Sequence, residues 1–395
     1  MSISKKVQKS MTEGSWIRRM FDEGAILKQR YGAENVFDLS LGNPIMEPPA
    51  EFDRELRRLV EHPLPGMHRY MENAGYAETR AAVAEQLSLE TGIEFTTRDI
   101  IMTCGAAGAL NVVLKTILNP GDEVILFAPY FVEYINYIDN HGGVASVLPT
   151  DEQFLPKLDV LENTIGAKTK AVIINSPNNP TGVVYSADLL HLLGEVLQQK
   201  EAQYGTQIFL ISDEAYRKII YDGLRFPSPL HHHPRSIILT SHSKDLALPG
   251  ERIGYIAVHP ACSPPEELID GLIFCNRTLG YVNAPALMQR LVRHLQSVTV
   301  SVAEYQRKRD LLYARLIEMG YSLIKPQGAF YMFPKCPRED DIAFVKELQE
   351  FRVLTVPGRG FGTPGYFRIS YCVDDRTIEG SLAGLGKAAQ KNGLG

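Results

Sequence analysis

The chain has 395 residues, 45% of them hydrophobic and 22% charged, which is typical of a globular protein with room for two domains. Its 41 basic residues are outnumbered by 46 acidic ones, its five cysteines are widely spaced, and no apolar run reaches about 18 residues. These properties argue against binding to nucleic acid or a membrane, against a zinc or disulfide framework and against secretion, so we expect a cytoplasmic protein that acts on small molecules.

The predicted elements begin with a helix, followed by the extended, proline-punctuated segment LSLGNPIMEPP. Residues 1–49 are too few to form a hydrophobic core alone. We therefore expect them to pack with the carboxy-terminal part of the chain.

From about residue 98 to 258, apolar runs rich in Val and Ile alternate with helical segments such as GALNVVLKTIL. The predicted strands are DIIMT, EVILFA, VASVL, AVIIN, QIFLIS, SIILT and RIGYIAV. Short, continuously apolar strands are typical of a sheet that is covered on both faces. The pattern predicts an α/β fold with a mostly parallel, seven-stranded sheet between helices.

After Pro285 the pattern changes to a long charged helix around VAEYQRKRDLLYARLIEMG, then to YSLIKPQGAFYMFP, a further helix, RVLTVPG, FRISYC and a terminal helix. This mixture predicts a smaller α+β unit. We divide the chain into a large domain, residues 50–290, and a small domain formed by residues 1–49 and 291–395.

Three adjacent histidines, His231, His232 and His233, are the only obvious candidates for metal ligands. Adjacent residues on a regular element cannot converge on one ion, so we interpret the run as a solvated turn. The sequence predicts no metal site.

Small residues follow the first predicted strand, where Gly105, Ala106 and Ala107 open a helix. The free amides at a helix start bind anions, and small side chains let a phosphate approach them. Small residues also serve close packing of a helix on a sheet. This segment alone leaves both interpretations open.

An acid and a lysine follow two other predicted strands. Asp213 comes directly after QIFLIS, with Tyr216 three residues later, and Lys244 follows SIILT. Either residue alone could be structural. The carboxyl ends of parallel strands open on one edge of a sheet, where ligands bind, so the glycine segment, the acid and the lysine are predicted to converge. This trio suits pyridoxal phosphate: amides for its phosphate, an acid for its pyridinium nitrogen and a lysine for its aldehyde.

Together the motifs SPNNPTG, DEAY, SHSK and FRISY, with Arg252 eight residues after Lys244, resemble those of the class I/II aminotransferases, which have fold type I and use pyridoxal phosphate. The resemblance extends from Asp38 to Arg368, with the motifs in the family's order. It implies a large cofactor-binding domain with a seven-stranded sheet and a smaller α+β domain.

The resemblance assigns roles around the cofactor ring. Lys244 is similar to the lysine that forms the Schiff base with the cofactor and moves the substrate α-proton. Asp213 matches the acid at the pyridine nitrogen. Tyr216 and Asn179 match the residues that hydrogen-bond the phenolic oxygen, and Phe131 matches the aromatic ring that stacks on the cofactor.

The resemblance also assigns the phosphate and substrate contacts. The residues similar to the phosphate cup are Gly105, Ala106, Ala107, Ser241, Ser243 and Arg252. Arg368 resembles the residue that binds the substrate α-carboxylate, assisted by Gly42 and Asn179. Tyr70 matches a tyrosine that reaches the phosphate of the neighbouring subunit, which implies a homodimer, and Thr278 is a further candidate from that subunit.

The implied reaction is transfer of an α-amino group between an amino acid and a 2-oxo acid. A β-lyase or another reaction at the α-carbon is the alternative, because the same cofactor supports several bond cleavages. The amino-acid preference stays open. Glu251 stands where relatives often have an aromatic residue, Ala107 where some dicarboxylate-using relatives have a lysine, and Arg277 or Arg359 could replace that lysine.

Overall fold

The structure, a computed structural model, describes residues 2–13, 16–262 and 264–394. The helices are α1 (Lys5–Glu13), α2 (Trp16–Tyr31), α3 (Ala50–Glu61), α4 (Ala77–Thr91), α5 (Gly105–Ile117), α6 (Tyr134–Asn140), α7 (Leu158–Thr164), α8 (Ala187–Tyr204), α9 (His242–Asp245), α10 (Pro265–Thr278), α11 (Ala286–Val292), α12 (Val302–Glu318), α13 (Asp341–Glu350) and α14 (Asp375–Lys391). The strands are β1 (Phe37–Asp38), β2 (Ile100–Thr103), β3 (Glu123–Ala128), β4 (Val144–Pro149), β5 (Thr169–Asn175), β6 (Phe209–Asp213), β7 (Ser236–Ser241), β8 (Gly254–Val258), β9 (Tyr331–Met332), β10 (Val353–Leu354), β11 (Val356–Pro357) and β12 (Phe367–Ser370).

The central sheet has seven strands in the order β2-β8-β7-β6-β5-β3-β4, which confirms the predicted α/β fold. Each predicted strand forms one of these seven. β8 is antiparallel to both of its neighbours, β2 and β7, and the other pairs are parallel. Since two reversals cancel, β2 runs in the same direction as β6 and β7. Their carboxyl ends therefore lie on one edge of the sheet.

The inner strands of this sheet are buried on both faces, in keeping with their apolar residues at odd and even positions, whereas the edge strand β4 is largely exposed. In β3 the side chain of Ile125 belongs to one core cluster and that of Val124 to another. The second cluster also contains the buried residues of α5, which packs on that face. Covering helices fix the strand ends firmly, and a rigid edge is suited to holding a site.

The carboxy-terminal residues form a three-stranded antiparallel sheet, β11-β12-β9. β1 pairs in parallel with β10, and the Leu39 amide donates to the Leu354 carbonyl at 2.9 Å. Strand β1 of the amino-terminal segment therefore packs against β10 of the carboxy-terminal part. The division at residues 49/50 and 290/291 stays a prediction, and its ranges include Met1, Gly14, Ser15, Ser263 and Gly395, which lie outside the described residues.

The histidine run differs from the expected solvated turn. His231 is exposed, but His233 is only 1% exposed, and its Nε2 lies 2.8 Å from the Ile208 carbonyl oxygen. A ring nitrogen buried this far needs a hydrogen-bond partner, and the backbone supplies it. Within residues 2–13, 16–262 and 264–394, no three His, Cys, Asp or Glu side chains are grouped to hold a metal. No helix in the same ranges has the length and apolarity to cross a membrane.

Candidate active site

A cavity of about 310 Å³ lies at the edge of the sheet where β6 and β7 end and α5 begins. Most of the residues singled out in the sequence line it: Gly42, Ala106, Ala107, Phe131, Asn179, Asp213, Tyr216, Ser241, Ser243, Lys244, Arg252 and Arg368. They come from segments that are widely separated along the chain, from Gly42 to Arg368. The predicted convergence at one edge therefore occurs.

Lys244 lies on α9, the single helical turn that follows β7. Its Nζ donates a hydrogen bond of 2.7 Å to the Gly42 carbonyl oxygen and faces the ring of Phe330. Burial lowers the pKa of the Lys244 amine to about 8, and the positive charges of Arg368 and Arg252 contribute to the lowering. Part of the amine is therefore neutral near physiological pH, as a nucleophile or base requires.

Asp213 ends β6 and faces the cavity. Tyr134 donates to its Oδ2 at 2.6 Å, and the amide of Asn175 donates to its backbone carbonyl at 2.9 Å. Burial raises the pKa of the Asp213 carboxyl, and the hydrogen bonds from Tyr134 and the Ala215 amide oppose that rise. A buried carboxylate held in this way favours a cationic partner in the cavity.

Tyr134 and Asn175 were not predicted as site residues, although both line the cavity. Asn175 is the last residue of AVIIN, so the strand-end reasoning that selected Asp213 could have found it. Tyr134 follows Phe131 by three positions in the segment PYFVEYINYID, a spacing that puts both side chains on one side of a helix start. A search along strand ends does not reach it.

Arg252 lies beside the amino terminus of α5. No side chain caps that helix start, and the Arg252 guanidinium donates to the carbonyls of Pro249 and Cys104 at 3.0 and 3.4 Å. Arg252 has a φ of 52°, which is uncommon for a residue other than glycine and is often found at functional sites. Uncapped amides and a guanidinium side by side form a site for an anion.

Gly105 does not line the cavity but packs behind Arg252. Its φ is 71°, and a Cβ at this position would lie 2.7 Å from Arg252 Nη2. Glycine is therefore favoured at position 105 for two reasons: it adopts the left-handed backbone conformation, and it leaves room for the Arg252 guanidinium.

Arg368 on β12 is 1% exposed. It donates to Asn179 Oδ1 at 3.1 Å and to the Ser40 carbonyl, and its guanidinium lies 4.7 Å from the centre of the Tyr331 ring and 4.9 Å from that of Phe361. Its Nε is buried without a hydrogen-bond partner in the described part of the chain. A buried guanidinium with an unused donor is prepared to bind a carboxylate.

Tyr331 on β9 is a third residue that the sequence reasoning missed. It lines the cavity, and its hydroxyl lies 2.8 Å from that of Tyr216. The only available signal was its place in the strand-like GAFYMF, which points equally to a core residue.

Neither Tyr70 nor Thr278 lines this cavity. Tyr70 is 88% exposed and lines a separate groove, and the Thr278 hydroxyl donates to the Phe274 carbonyl of the same helix. Arg359 is paired with Asp341 at 2.7 Å, which gives it a structural role. Arg277 and Glu251 are exposed and do not line the cavity.

The charges of the cavity test whether pyridoxal phosphate fits. Three cationic side chains, Lys244, Arg252 and Arg368, face a single carboxylate, Asp213. A ligand with an anionic phosphate near Arg252, a carboxylate near Arg368 and a protonated ring nitrogen near Asp213 would balance them. The unused Nε of Arg368 and the uncapped start of α5 agree with this distribution. The residues present therefore fit the cofactor with its substrate.

Comparison with known proteins gives the same family along nearly the whole chain. A family model described as aminotransferase class I and II matches residues 34–385. A probable aspartate/prephenate aminotransferase from Thermus aquaticus is 32% identical over 376 residues, covering 92% of this chain and 94% of that protein. Aromatic-amino-acid aminotransferase 2 from Thermococcus litoralis is 31% identical over 415 residues, with 100% of each chain covered.

Solved structures agree. An amino transferase from Eubacterium rectale superposes with a TM-score of 0.96 at 39% identity, over 100% of both chains. Aspartate aminotransferase from Thermus thermophilus with maleate has a TM-score of 0.86 at 28% identity, covering 98% of this chain and 100% of that one. The chain belongs to the class I and II aminotransferases, enzymes that use pyridoxal 5'-phosphate to transfer amino groups.

Proposed function

We propose that Lys244, Asp213, Arg252 and Arg368 are the charged residues with which this aminotransferase moves an α-amino group from an amino acid to a 2-oxo acid. The observation that supports this assignment is their convergence in one cavity of about 310 Å³. Each of the four matches a different chemical group of the cofactor or the substrate.

Bound pyridoxal phosphate supplies an aldehyde that condenses reversibly with amines and a ring that accepts electrons from the substrate α-carbon. Arg252, the amides of Ala106 and Ala107 and the hydroxyls of Ser241 and Ser243 would bind its phosphate. Gly105 gives Arg252 the room to do so.

The ring of the cofactor would contact a second group of residues. Asp213, held by Tyr134 and Asn175, would pair with the protonated ring nitrogen. Phe131 would stack on the ring face, while Tyr216 and Asn179 would hydrogen-bond the phenolic oxygen. These contacts keep the ring oriented and cationic, so that it attracts electrons.

Lys244 is proposed to hold the cofactor covalently and then to carry the proton. Once an amino acid takes the place of Lys244, the Lys244 Nζ would accept the proton of the substrate α-carbon and deliver it to the cofactor C4'. The lowered pKa of the amine supports this role, because a base with a pKa close to the working pH is the most effective one.

Arg368 is proposed to bind the substrate α-carboxylate, with Gly42 and Asn179 beside it. The names of the relatives include aspartate, prephenate and aromatic amino acids as substrates. A panel of single amino acids mixed with the loaded enzyme tests the function. Substrates should bleach the cofactor absorbance, and a 2-oxo acid should restore it. Release of pyruvate and ammonia without bleaching would instead identify β-elimination.

We further propose that the enzyme is a cytoplasmic homodimer in which Tyr70 binds the phosphate of the neighbouring subunit. The exposure of Tyr70, 88%, supports a contact outside its own protomer. The proposed large domain, residues 50–290, carries most of the cavity. The small domain, residues 1–49 and 291–395, contributes Gly42, Tyr331 and Arg368.

A hybrid dimer tests the position of Tyr70. One subunit carries Lys244→Ala and the other Tyr70→Phe, and the affinity of the active site for cofactor is measured by titration. If Tyr70 acts across the interface, the site with an intact lysine also receives an intact tyrosine and should bind cofactor like wild type. If Tyr70 acts within its own subunit, that site should bind cofactor about tenfold more weakly, the loss of one hydrogen bond to a charged group. Sedimentation that shows a monomer would contradict the dimer.

Replacement of Gly105 by alanine should weaken the binding of pyridoxal phosphate about tenfold or more, because displacement of Arg252 removes a charge-assisted contact. The added Cβ would lie 2.7 Å from the guanidinium. Pyridoxal, which lacks the phosphate, should bind equally to both proteins in equilibrium titrations.

The matched control for this change is Gly92→Ala. Gly92 also has a φ of 71°, but no atom lies within 4 Å of its added Cβ. It should show the same backbone strain as a lowered melting temperature, with cofactor affinity retained. Equal losses of phosphate-dependent affinity in the two variants would refute the role of Gly105.

A further inference from the structure

The hydroxyl of Tyr331 contacts that of the proposed cofactor residue Tyr216. The two oxygens are 2.8 Å apart, both side chains are buried, and their rings meet edge to face at 5.7 Å. No other hydrogen bond of the Tyr216 hydroxyl occurs among the described residues. Each phenol has one hydrogen, so only one of the two can donate to the other.

The glycine at position 42 leaves space for the Tyr331 hydroxyl. A Cβ at Gly42 would lie 2.0 Å from the Tyr331 hydroxyl oxygen, so this oxygen occupies the place where any other residue at position 42 would have a side chain. The backbone of Gly42 also accepts the hydrogen bond of Lys244. The hydroxyl of Tyr331 thus lies beside Gly42, the residue that binds Lys244, and also contacts Tyr216.

Arg368 lies beside this pair of tyrosines. Its guanidinium lies 4.7 Å from the centre of the Tyr331 ring. Burial raises the pKa of Tyr331 to about 12 and the pKa of Tyr216 well above its usual value, and the positive charge of Arg368 opposes both rises. Other titratable groups near the pair are Asp213, which acts on Tyr216, and Cys372 and Tyr305, which interact with Tyr331. Under the proposed function Tyr216 donates its single hydrogen to the cofactor, so toward Tyr331 it can only accept, and Tyr331 is the donor of the pair.

We propose that Tyr331 is a positioning residue for transamination: its hydroxyl donates to Tyr216 and thereby directs the hydrogen of Tyr216 into the cavity. The inference rests on the proposed function, in which Tyr216 donates to the phenolic oxygen of the cofactor. A phenol that accepts one hydrogen bond donates a stronger one, so Tyr331 strengthens that contact. Arg368, Tyr331 and Tyr216 then form a chain from the substrate carboxylate to the cofactor.

The test is the pH titration of the absorbance of bound cofactor, a measurement on the resting enzyme. Tyr331→Phe keeps the ring next to Arg368 and removes only the hydroxyl. Without the Tyr331 hydroxyl, Tyr216 is a weaker donor and stabilises the anionic phenolic oxygen of the cofactor less. The midpoint pH of the absorbance titration should therefore be higher in Tyr331→Phe by about 0.3–1 unit, the equivalent of an ordinary hydrogen bond. Tyr216→Phe should raise it at least as much. The double variant should match Tyr216→Phe alone, because Tyr331 acts through Tyr216.

Tyr371→Phe is the matched control, since Tyr371 also pairs with a buried tyrosine, Tyr221, at 3.3 Å. It should leave the midpoint unchanged, and melting temperatures of the apoproteins verify folding. A shift in Tyr216→Phe without one in Tyr331→Phe, or additive shifts in the double variant, overturns the inference alone. An unchanged midpoint in Tyr216→Phe overturns the proposed role of Tyr216, and the inference with it.

Discussion

Replacement of Lys244 by alanine should reduce transamination by about 10⁴-fold or more, because it removes both the covalent attachment and the base that moves the proton. The phosphate and ring contacts do not depend on the amine, so the variant should still bind cofactor. Single-turnover absorbance with an amino-acid substrate measures the chemical step. Added small primary amines should restore part of the rate, since an amine in solution can carry the same proton.

Stability provides an independent measurement on the same residue. The folded apoprotein must bury a charged Lys244, whose pKa is lowered to about 8. Below pH 8 the amine is charged in both the folded and the unfolded chain, and the folded state bears the full cost of burial. Above pH 8 the folded chain releases the proton while the unfolded chain keeps it until its ordinary pKa, so the stability of the wild type rises with pH through this window.

Lys244→Met keeps the aliphatic stem and removes the charge. The apoprotein of this variant should therefore melt at a higher temperature than wild type at pH 7, and the difference should diminish as the pH rises from 8 to 10. A difference that stays constant over this range would contradict the lowered pKa. A variant that transaminates at the wild-type rate would contradict the assignment of Lys244 altogether.

Replacement of Arg368 by methionine should lower kcat/KM for every amino acid and 2-oxo acid by about 10²–10³-fold, the loss of two hydrogen bonds to a charged group. Most of the effect should be a raised KM, because the carboxylate is bound before and during the reaction. Arg368→Lys keeps the charge but not the planar pair of donors, so it should restore only part of the loss. Cofactor affinity of the resting enzyme should change little.

An amino-acid amide sharpens this experiment because it lacks the carboxylate. Wild type should strongly prefer the acid to the amide, and Arg368→Met should lose that preference. Arg277→Lys is the control: this exposed arginine stacks on Phe274 and does not line the cavity. A retained preference for the acid in Arg368→Met would show that another residue binds the carboxylate, and a changed preference in Arg277→Lys would identify that residue.

The sequence by itself determined the chemistry at the strand ends. Asp213 and Lys244 were selected because each follows an apolar run, and the direction shared by β2, β6 and β7 brings such positions to one edge. The reasoning holds despite the antiparallel β8, because β8 is antiparallel to both β2 and β7, which therefore run in the same direction. The motif resemblance then supplied Arg252 and Arg368, which no periodicity marks.

Only the tertiary structure decided what supports these groups. Tyr134 beneath Asp213 and Tyr331 beside Tyr216 are aromatic residues in apolar segments, where the sequence pattern is the same for a core residue and a site residue. The sequence shows that position 105 has a small residue. It does not show why glycine is needed there, because the side chain that leaves no room for a Cβ belongs to Arg252, 147 positions further along the chain. Local sequence determines which residues lie at the end of a strand or the start of a helix. Their hydrogen-bond partners depend on packing between distant segments, and that packing exists only in the folded chain.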